Sequence, residues 1–218
     1  MKIIFIFFLA LTTTFTAISQ RTKTDEAIET SKKFLLDTIG EKVFKYFKFE
    51  YRKGSYYILG DRQKKYGYIP TKTLLPGKRL KNGWTEIWVL FDFNYPEVKG
   101  LKYATWVKLT KDLQLAEPIQ LDFIPNFVWK NEPPSFITEQ TAAEIGSTLL
   151  KDTTLGRSSP YLSYDKNLKK YIYTITNNIT KSAGQNGKDE GMMEILKLDA
   201  ETGAVIEKTT GAYGFYIR

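Results

Sequence analysis

The side chains that could do chemistry in this 218-residue sequence are its carboxylates, lysines, tyrosines and arginines, because histidine and cysteine are both absent. Without cysteine the chain has no disulfide, no thiol nucleophile and no iron–sulfur ligand. Without histidine it has no Ser-His-Asp machinery and no zinc site of the usual His/Cys type. These absences exclude the commonest catalytic classes, and the sequence predicts no cofactor.

Glu86 and Asp92 are a carboxylate pair that a glycosidase could use as acid and nucleophile. Such a pair needs a fixed separation across a cleft, which a sequence does not reveal. Both residues have the same parity in one predicted strand, so the alternative is a polar outer face. A carboxylate-based hydrolase is therefore the third of three functional hypotheses, and no catalytic residue is assigned.

A second acidic group, made of Asp189, Glu190 and Glu194, is a candidate for binding a cation. Its spacing matches no EF-hand loop, and a solvated loop explains it better, so no metal site is predicted. The sharpest local motif consists of Asp199, Thr202 and Gly203. We interpret it as a turn, in which the aspartate side chain bonds backbone N–H groups and the glycine takes a positive φ.

The positive charge is concentrated in the first half of the chain. The net charge is +8, but residues 20–110 carry 19 basic and 10 acidic residues, whereas residues 111–218 carry 12 and 14. The basic runs lie beside aromatic residues, which can stack on sugars while the cations attract acidic groups. The predicted ligand surface consists of Arg52, Lys64, Lys65, Arg79, Lys81 and Trp84. The alternative is that the cations are solvated and the aromatic residues form the core.

The first 19 residues have the pattern of a signal peptide. Lys2 precedes an apolar run over residues 3–11, and small residues at Ala17 and Ser19 suit cleavage before Gln20. The run is shorter than the roughly 20 residues that span a bilayer. We expect an extracytoplasmic protein, periplasmic or secreted, with no stable transmembrane span. Since the chain has no cysteine, we expect no lipoprotein, and export argues against nucleic acid as a partner.

The elements that must position these groups follow from hydrophobic periodicity. Apolar residues at helical spacing predict a helix over 24–39, which Gly40 ends. Aromatic and β-branched runs then predict strands, with a loop rich in turn residues over 70–83. The predicted strands of this half are 44–51, 56–59, 66–69, 86–95 and 101–109, with a short return at 113–115.

The second half begins after a proline-rich connection over residues 118–137. A capping box at Thr141 and Glu144 predicts a helix that ends near Leu149, with Thr138 as an alternative start one turn earlier. The predicted strands of this half are 161–164, 170–176, 193–198 and 204–208, with a polar loop over 177–191.

Short sequence echoes indicate a duplication. Residues 34–38 (Phe-Leu-Leu-Asp-Thr) close the first helix as residues 149–153 (Leu-Leu-Lys-Asp-Thr) close the second. The sequence therefore predicts an α+β fold of two tandem units, each a helix packed on a small antiparallel β-sheet. The basic, aromatic-rich first unit covers residues 20–117, and the second unit covers residues 138–218.

The second half resembles the PepSY and PepSY-like domains of exported bacterial proteins. The helix residues 142–145 (Ala-Ala-Glu-Ile), the strand 171–175 (Tyr-Ile-Tyr-Thr-Ile) and above all the hairpin 195–206 carry the resemblance. That hairpin is an apolar strand followed by Asp-Ala-Glu-Thr-Gly and a second apolar strand. The resemblance covers roughly residues 138–210, and the first half is a diverged copy at most. It implies a helix on a small antiparallel sheet, export, no catalysis, and a role in regulating or inhibiting peptidases.

Three functional hypotheses follow. The first is an exported, non-enzymatic binding protein whose partner is a peptide, a protein or a surface polymer. The second assigns the basic, aromatic first half to acidic glycans or an anionic membrane surface, with binding that weakens as salt rises. The third is the hydrolase considered above. The sequence leaves the oligomeric state open.

Overall fold

Helices and antiparallel strands make up the computed structural model, which describes residues 23–50, 54–60, 70–184 and 189–214. The helices are α1 (Lys23–Phe44), α2 (Asn126–Lys130) and α3 (Glu139–Leu149). The strands are β1 (Phe47–Phe49), β2 (Tyr56–Leu59), β3 (Thr71–Thr73), β4 (Trp84–Asn94), β5 (Lys102–Thr110), β6 (Tyr161–Asp165), β7 (Lys170–Asn178), β8 (Ser182–Ala183), β9 (Asp189–Asp199) and β10 (Val205–Tyr213). The predicted mixture of helix and antiparallel sheet is confirmed at this level. The predicted signal peptide and the predicted strand 66–69 lie outside the described residues.

The chain divides into two units, and each has its own sheet. Unit 1 takes the described residues up to Phe93 together with Ala104–Leu121. Unit 2 takes Asn94–Tyr103 and the described chain from Asp122 onward. The proline-rich segment predicted as a connection is therefore divided between the units after Leu121.

The alternation of β4 decides which face of the sheet of unit 1 is buried. β4 pairs antiparallel with β2 over its first half and with β1 over its second half, and it also pairs with β5. Every second side chain of β4 is at most 1% exposed, namely Ile87, Val89, Phe91 and Phe93. The side chains between them are half-buried on the opposite face. That second face carries the polar and aromatic groups described below.

Gly40 breaks the regular helix α1, as the sequence predicts. Its φ of 71° and ψ of 163° lie outside the helical region, and one further helical turn carries the chain to Phe44. Glycine takes a positive φ without the steric cost that a side chain would add. Ala27 and Leu35, both fully buried, anchor the longer part of α1 in the core.

The sheet of unit 2 has the order β10-β9-β7-β6, and β8 also pairs with β9. Its core contains Ile175, Leu196 and Leu198, which are fully buried. β9 begins at Asp189 rather than near residue 193, so part of the predicted polar loop is strand. Helix α3 is capped by Thr138, whose hydroxyl accepts a 3.0 Å hydrogen bond from the Thr141 backbone N–H. The earlier of the two predicted helix starts is therefore the observed one.

Helix α3 packs on β7 at a very short distance. An added Cβ on Gly146 would lie 2.7 Å from Cδ1 of Ile175, so glycine is what permits this approach. The turn between β9 and β10 lies nearby, because a Cβ on Gly203 would be 3.1 Å from Ile145 of the same helix. The helix and the closing turn thus pack together in unit 2.

Seven aromatic rings of the described chain form a continuous series in unit 2. In order they are Tyr95, Phe127, Phe136, Tyr171, Tyr164, Tyr103 and Phe123, with centroid distances of 5.7, 5.1, 5.4, 5.3, 5.4 and 4.6 Å. Three of these rings come from the part of the proline-rich segment that follows Leu121, and this part therefore contributes to the core of unit 2. Aromatic pairs at such distances stabilise a fold by about 0.5–1.5 kcal/mol each beyond their buried area.

None of the helices in the described residues combines the length and the hydropathy that a membrane span requires.

Candidate functional site

Half of the predicted ligand surface lies in the described part of the chain. Arg52, Lys64 and Lys65 fall outside the described residues. Arg79 and Lys81 are exposed in the loop between β3 and β4, whereas Trp84 is only 5% exposed. The structure therefore does not present this tryptophan beside the two cations as a surface for stacking.

A β-bulge explains why Trp84 is buried. Ile58 pairs with Glu86 and Leu59 pairs with Trp84, so Thr85 is an extra residue in β4 opposite β2. Strict alternation would place Trp84 on the half-exposed face with Glu86, but one extra residue reverses the face of everything beyond it. Trp84 joins the core, and the surface position predicted for it is corrected.

The basic loop, which we define as Lys78, Arg79 and Lys81, is fixed to the start of α1. Both carboxylate oxygens of Asp25 accept hydrogen bonds from the Gly77 backbone N–H, at 3.0 and 3.2 Å. The Thr24 hydroxyl donates to the Lys78 carbonyl. All three cations are exposed. Because the backbone that carries them is held in place, less conformational entropy is lost when they meet an anionic partner.

The aromatic strip, which we define as Tyr56, Trp88 and Trp106, crosses the half-exposed face of unit 1. Tyr56 and Trp88 are direct cross-strand partners, and their ring centroids lie 5.2 Å apart. The Trp88 and Trp106 rings follow at 6.4 Å. Trp106 is 38% exposed, although Thr105 and Val107 on either side of it are buried. The strip is therefore a set of neighbouring rings that ends in an accessible indole.

Trp88 is the fixed centre of the strip. The Lys108 ammonium lies 3.7 Å from the centroid of the Trp88 ring and 2.7 Å from the Glu117 carboxylate. The Trp88 indole N–H donates a 2.9 Å hydrogen bond to Glu86. A cation on a ring face is attracted by the ring quadrupole, so the Trp88 ring is held from several sides. These contacts hold the Trp88 ring in position between Tyr56 and Trp106.

Trp106 and Tyr56 are the ends of the strip that can meet a ligand. The Trp106 indole N–H donates a 3.2 Å hydrogen bond to the Gly54 carbonyl, which orients the exposed ring. Partial burial, and then the charge of Glu86, raise the pKa of the Tyr56 hydroxyl, so it stays a neutral hydrogen-bond donor. The strip offers apolar area and hydrogen-bonding groups, which suits binding.

Sequence reasoning missed Trp88 and Trp106 as surface residues. The signal was present in the alternation of the two strands, since Trp88 shares the parity of Glu86 and Trp106 shares the parity of Lys108. A ring in phase with charged residues on a strand faces the same side as they do.

The geometry of β4 excludes Glu86 and Asp92 as a glycosidase pair. They are six residues apart on one extended strand, which at about 3.3 Å per residue separates them by about 20 Å. The two carboxyl groups of a glycosidase lie about 5 to 9.5 Å apart. These two carboxylates therefore cannot act on the same glycosidic bond.

The second acidic group is divided by the strand that contains it. Asp189 forms a 2.8 Å ion pair with Lys181, whereas Glu194 is only 3% exposed. The solvated position predicted for Glu194 is therefore corrected. In the residues that the structure describes, no group of three or more acidic side chains is arranged to hold a metal ion.

Asp199, Thr202 and Gly203 form the turn between β9 and β10. The Asp199 carboxylate accepts hydrogen bonds from the backbone N–H groups of Glu201 (2.9 Å) and Thr202 (3.1 Å), and Gly203 has a φ of 73°. The other carboxylate oxygen lies 2.8 Å from the Lys170 ammonium. Burial acts to raise the pKa of Asp199, but these hydrogen bonds and the lysine outweigh it and lower the pKa.

Comparisons with known proteins return no match: no family model fits the sequence, and neither a curated protein nor a solved structure is similar to it at a significant level.

Proposed function

We propose that this chain is an exported, non-enzymatic binding protein that holds a peptide, a protein segment or a surface polymer on the aromatic strip of unit 1. The observation that carries the proposal is Trp106, an indole that is 38% exposed and held in orientation at the end of a fixed row of rings. Tryptophan and tyrosine, with arginine, are enriched among the few residues that contribute most of the binding energy at protein–protein interfaces.

The PepSY resemblance of the second half belongs to the same proposal. The proposal takes each unit as a helix packed on an antiparallel sheet, and the short approach of Gly146 on α3 to Ile175 on β7 supports that arrangement for unit 2. Regulation of a peptidase is the role that the resemblance suggests. A protein that regulates a peptidase must bind a peptide or a segment of the peptidase, and the aromatic strip is the surface that we assign to such a partner.

Loss of binding in a Trp106 variant tests the proposal. An array of immobilised ten-residue peptides and a glycan array are each screened with three proteins. These are the native mature chain, the Trp106→Ala variant and the Trp129→Ala variant. Trp129 lies on α2 in unit 2 and is 40% exposed, so it is matched in exposure and chemistry. We expect specific ligands whose binding falls at least tenfold in Trp106→Ala and stays unchanged in Trp129→Ala. The proposal would be contradicted if ligand binding were unchanged in both variants. It would also be contradicted if neither screen yielded a specific ligand.

A second candidate function is binding of acidic glycans or an anionic membrane surface through the basic loop. The observation that favours it is the attachment of this loop to α1 by Asp25 and Thr24, with all three cations exposed. Surface electrostatic attraction weakens as the Debye length shortens with salt.

Anionic vesicles provide the test of this second function. We expect the chain to bind phosphatidylserine vesicles or a sulfated glycan at low salt, and to be released at 0.5 M NaCl. The double substitution Arg79→Glu and Lys81→Glu should abolish binding, whereas Lys111→Glu and Lys130→Glu, which change charge equally at other exposed positions, should weaken it only slightly. Equal losses in both double variants would indicate attraction by net charge alone and would rule out this loop as the site.

A further inference from the structure

Strand β10 forms an edge of the sheet of unit 2, and no other strand of the described chain pairs with its outer side. It stands at the end of the order β10-β9-β7-β6 and runs for nine residues, from Val205 to Tyr213. In the described residues, β10 makes no backbone hydrogen bond outside its ladder with β9. Every second residue of an edge strand points its N–H and C=O groups away from the sheet, so this side can pair with a further strand.

Proteins protect exposed strand edges with short strands, prolines or charged side chains, and β10 has little of this protection. It contains no proline, and its only charged residues are Glu207 and Lys208. Both charges are already paired with residues of β9, Glu207 with Lys197 and Lys208 with Glu194. The opposite edge strand, β6, has only five residues and directly follows Pro160. β10 is therefore the less protected of the two edges.

A bulge at Ile206 limits the regular part of β10 to the seven residues 207–213. The register changes between Val205 and Glu207, and from Glu207 onward each residue has one partner in β9. Directly opposite side chains of an antiparallel pair lie on the same face of the sheet. Two copies of β10 can therefore pair symmetrically only about a two-fold axis that passes through one residue. The axis through Thr210 is the one that pairs all seven regular residues.

The pairs that this axis creates place no like charges opposite each other. Lys208 of one copy lies opposite Ala212 of the second copy, and Glu207 lies opposite Tyr213. The other residues of the stretch are uncharged. An axis through Glu207 or Lys208 would instead place two identical charges opposite each other, which destabilises a strand pair. The sequence of β10 is therefore complementary to itself in the longest register that the bulge allows.

The distribution of charge also permits two copies to meet at this strand. A net charge far from zero keeps proteins apart, and the whole chain carries +8. Residues 111–218, which include β10, carry 12 basic and 14 acidic residues, whereas the positive excess lies in residues 20–110. Copies that meet through β10 thus bring together segments that are close to neutral.

We propose that two copies of this chain associate through β10, with the two strands paired antiparallel about Thr210. The two sheets become one, in which β6-β7-β9-β10 is followed by the same strands of the second copy in reverse order. A pair of seven-residue strands is a small interface, so we expect dissociation constants in the micromolar range. The interface consists of unit 2 residues, so it does not depend on the aromatic strip of unit 1.

Sedimentation velocity of the mature chain over a range of concentrations tests the association itself. We expect a single species that shifts from monomer to dimer between about 1 and 500 μM, as for other small interfaces. A sedimentation coefficient that stays at the monomer value over this range would overturn the proposal. The edge of β10 would then be left to a strand of another protein.

An introduced cysteine tests the register, because the native chain has none. In the proposed dimer, position 210 lies opposite itself, with Cα atoms about 4.5–5.5 Å apart, which a disulfide can span. The two copies of position 212 are offset by four residues, or about 13 Å. We expect Thr210→Cys to form a covalent dimer in oxidised glutathione, and the equally exposed variant Ala212→Cys to form almost none. Equal cross-linking of both variants would indicate random collision and would overturn the register.

Opposite charge changes at Ala212 test its contact with Lys208 of the second copy. Ala212→Glu should lower the dissociation constant and Ala212→Lys should raise it. Each contact occurs twice in a symmetric dimer, so we expect a change of about threefold to tenfold in each direction. Thr73→Glu and Thr73→Lys make the same charge changes at an exposed position of β3 and should leave the dissociation constant unchanged. Equal effects at positions 73 and 212 would indicate repulsion by net charge alone and would overturn the proposed contact.

Discussion

The Glu194 carboxylate accepts a 3.1 Å hydrogen bond from the side-chain amide of Asn177, and both residues are almost completely buried between β7 and β9. The same carboxylate oxygen accepts a 2.8 Å hydrogen bond from the Lys151 backbone N–H, just beyond the end of α3. Lys208 of β10 lies 3.3 Å from the other oxygen and donates to the Leu149 carbonyl. One buried carboxylate thus ties the end of α3 to three strands.

Replacement of Glu194 should therefore unfold unit 2 more readily. We expect Glu194→Ala to lower the free energy of unfolding by about 2–4 kcal/mol, because Asn177 and the Lys151 N–H would lose a charged acceptor. Urea unfolding followed by circular dichroism measures the change. Glu207→Gln is the control, since Glu207 is 42% exposed in its pair with Lys197 and should cost about 0–1 kcal/mol. Similar losses in both variants would contradict the special role of Glu194.

Low pH should weaken the contacts by which Glu194 joins the end of α3 to the sheet of unit 2. The hydrogen bond from Lys151, which outweighs the opposing effect of burial, and those from Asn177 and Lys208 lower the pKa of Glu194 below its ordinary value of 4.5. Its contribution to stability is complete above pH 4.5 and is lost as the pH falls through the lowered pKa. We expect the free energy of unfolding to fall more steeply on acidification in the native chain than in Glu194→Gln. Parallel pH profiles for the two proteins would show that Glu194 does not contribute.

The contact between Gly146 and Ile175 predicts a coupled pair of substitutions. An alanine at position 146 gains about 0.5–1 kcal/mol of helix propensity, but its Cβ would collide with Cδ1 of Ile175. We expect Gly146→Ala to destabilise the native chain by about 1 kcal/mol through overpacking. Ile175→Val removes the colliding methyl group, so in that background Gly146→Ala should stabilise instead. A double-mutant cycle by urea unfolding measures the coupling, and Ser147→Ala, on an exposed side of α3, should show none.

Replacement of Trp84 by alanine should lower the free energy of unfolding much more than replacement of Trp106. Trp84 is 5% exposed in the core of unit 1, so Trp84→Ala should lower the free energy of unfolding by about 3–5 kcal/mol. Trp106→Ala removes a half-exposed ring and should cost about 1 kcal/mol. Acrylamide quenching of the single-tryptophan variants supplies a second measurement, in which Trp106 should be far more accessible. Equal stability losses would contradict the bulge at Thr85.

Two aspartates that build similar turns provide a matched test of burial. Asp165 and Asp199 each accept two backbone hydrogen bonds, but only Asp199 is buried and also pairs with Lys170. We expect Asp199→Ala to cost about 2 kcal/mol and Asp165→Ala about 0.5–1 kcal/mol. Thermal unfolding of both variants at pH 7 checks the order. A larger loss in Asp165→Ala would show that the lysine pair adds nothing.

Local rules were sufficient for much of the fold. The period of 3.6 residues located both long helices, and the strict alternation after Thr85 located β4. The turn at Asp199 follows from a side chain that bonds the backbone two residues on, which needs no tertiary information. These features depend on neighbours in sequence, and for that reason they were predictable.

The burial of Trp84 and of Glu194 could not be predicted from the residues next to them in sequence. The position of Trp84 was set by one extra residue opposite β2, and the strand that defines this bulge lies about 25 residues earlier in the chain. The burial of Glu194 likewise depends on hydrogen bonds from Lys151 and Asn177. Neither residue is close to Glu194 in sequence, so the polar residues around position 194 do not predict these contacts. Partners distant in sequence decided both cases.

Unit 2 is discontinuous in sequence, and this has a consequence for the order in which it can form. Tyr95 and Tyr103 contribute rings to its core but are synthesised well before β9 and β10, the last strands of its sheet. On the ribosome, these rings emerge before the sheet residues with which they finally pack. Closing such long loops lowers the conformational entropy of the chain before tertiary contacts form to offset that loss. Unit 2 should therefore fold late and slowly. A gene fragment that begins at residue 118 would lack part of the core, however well its own strands paired.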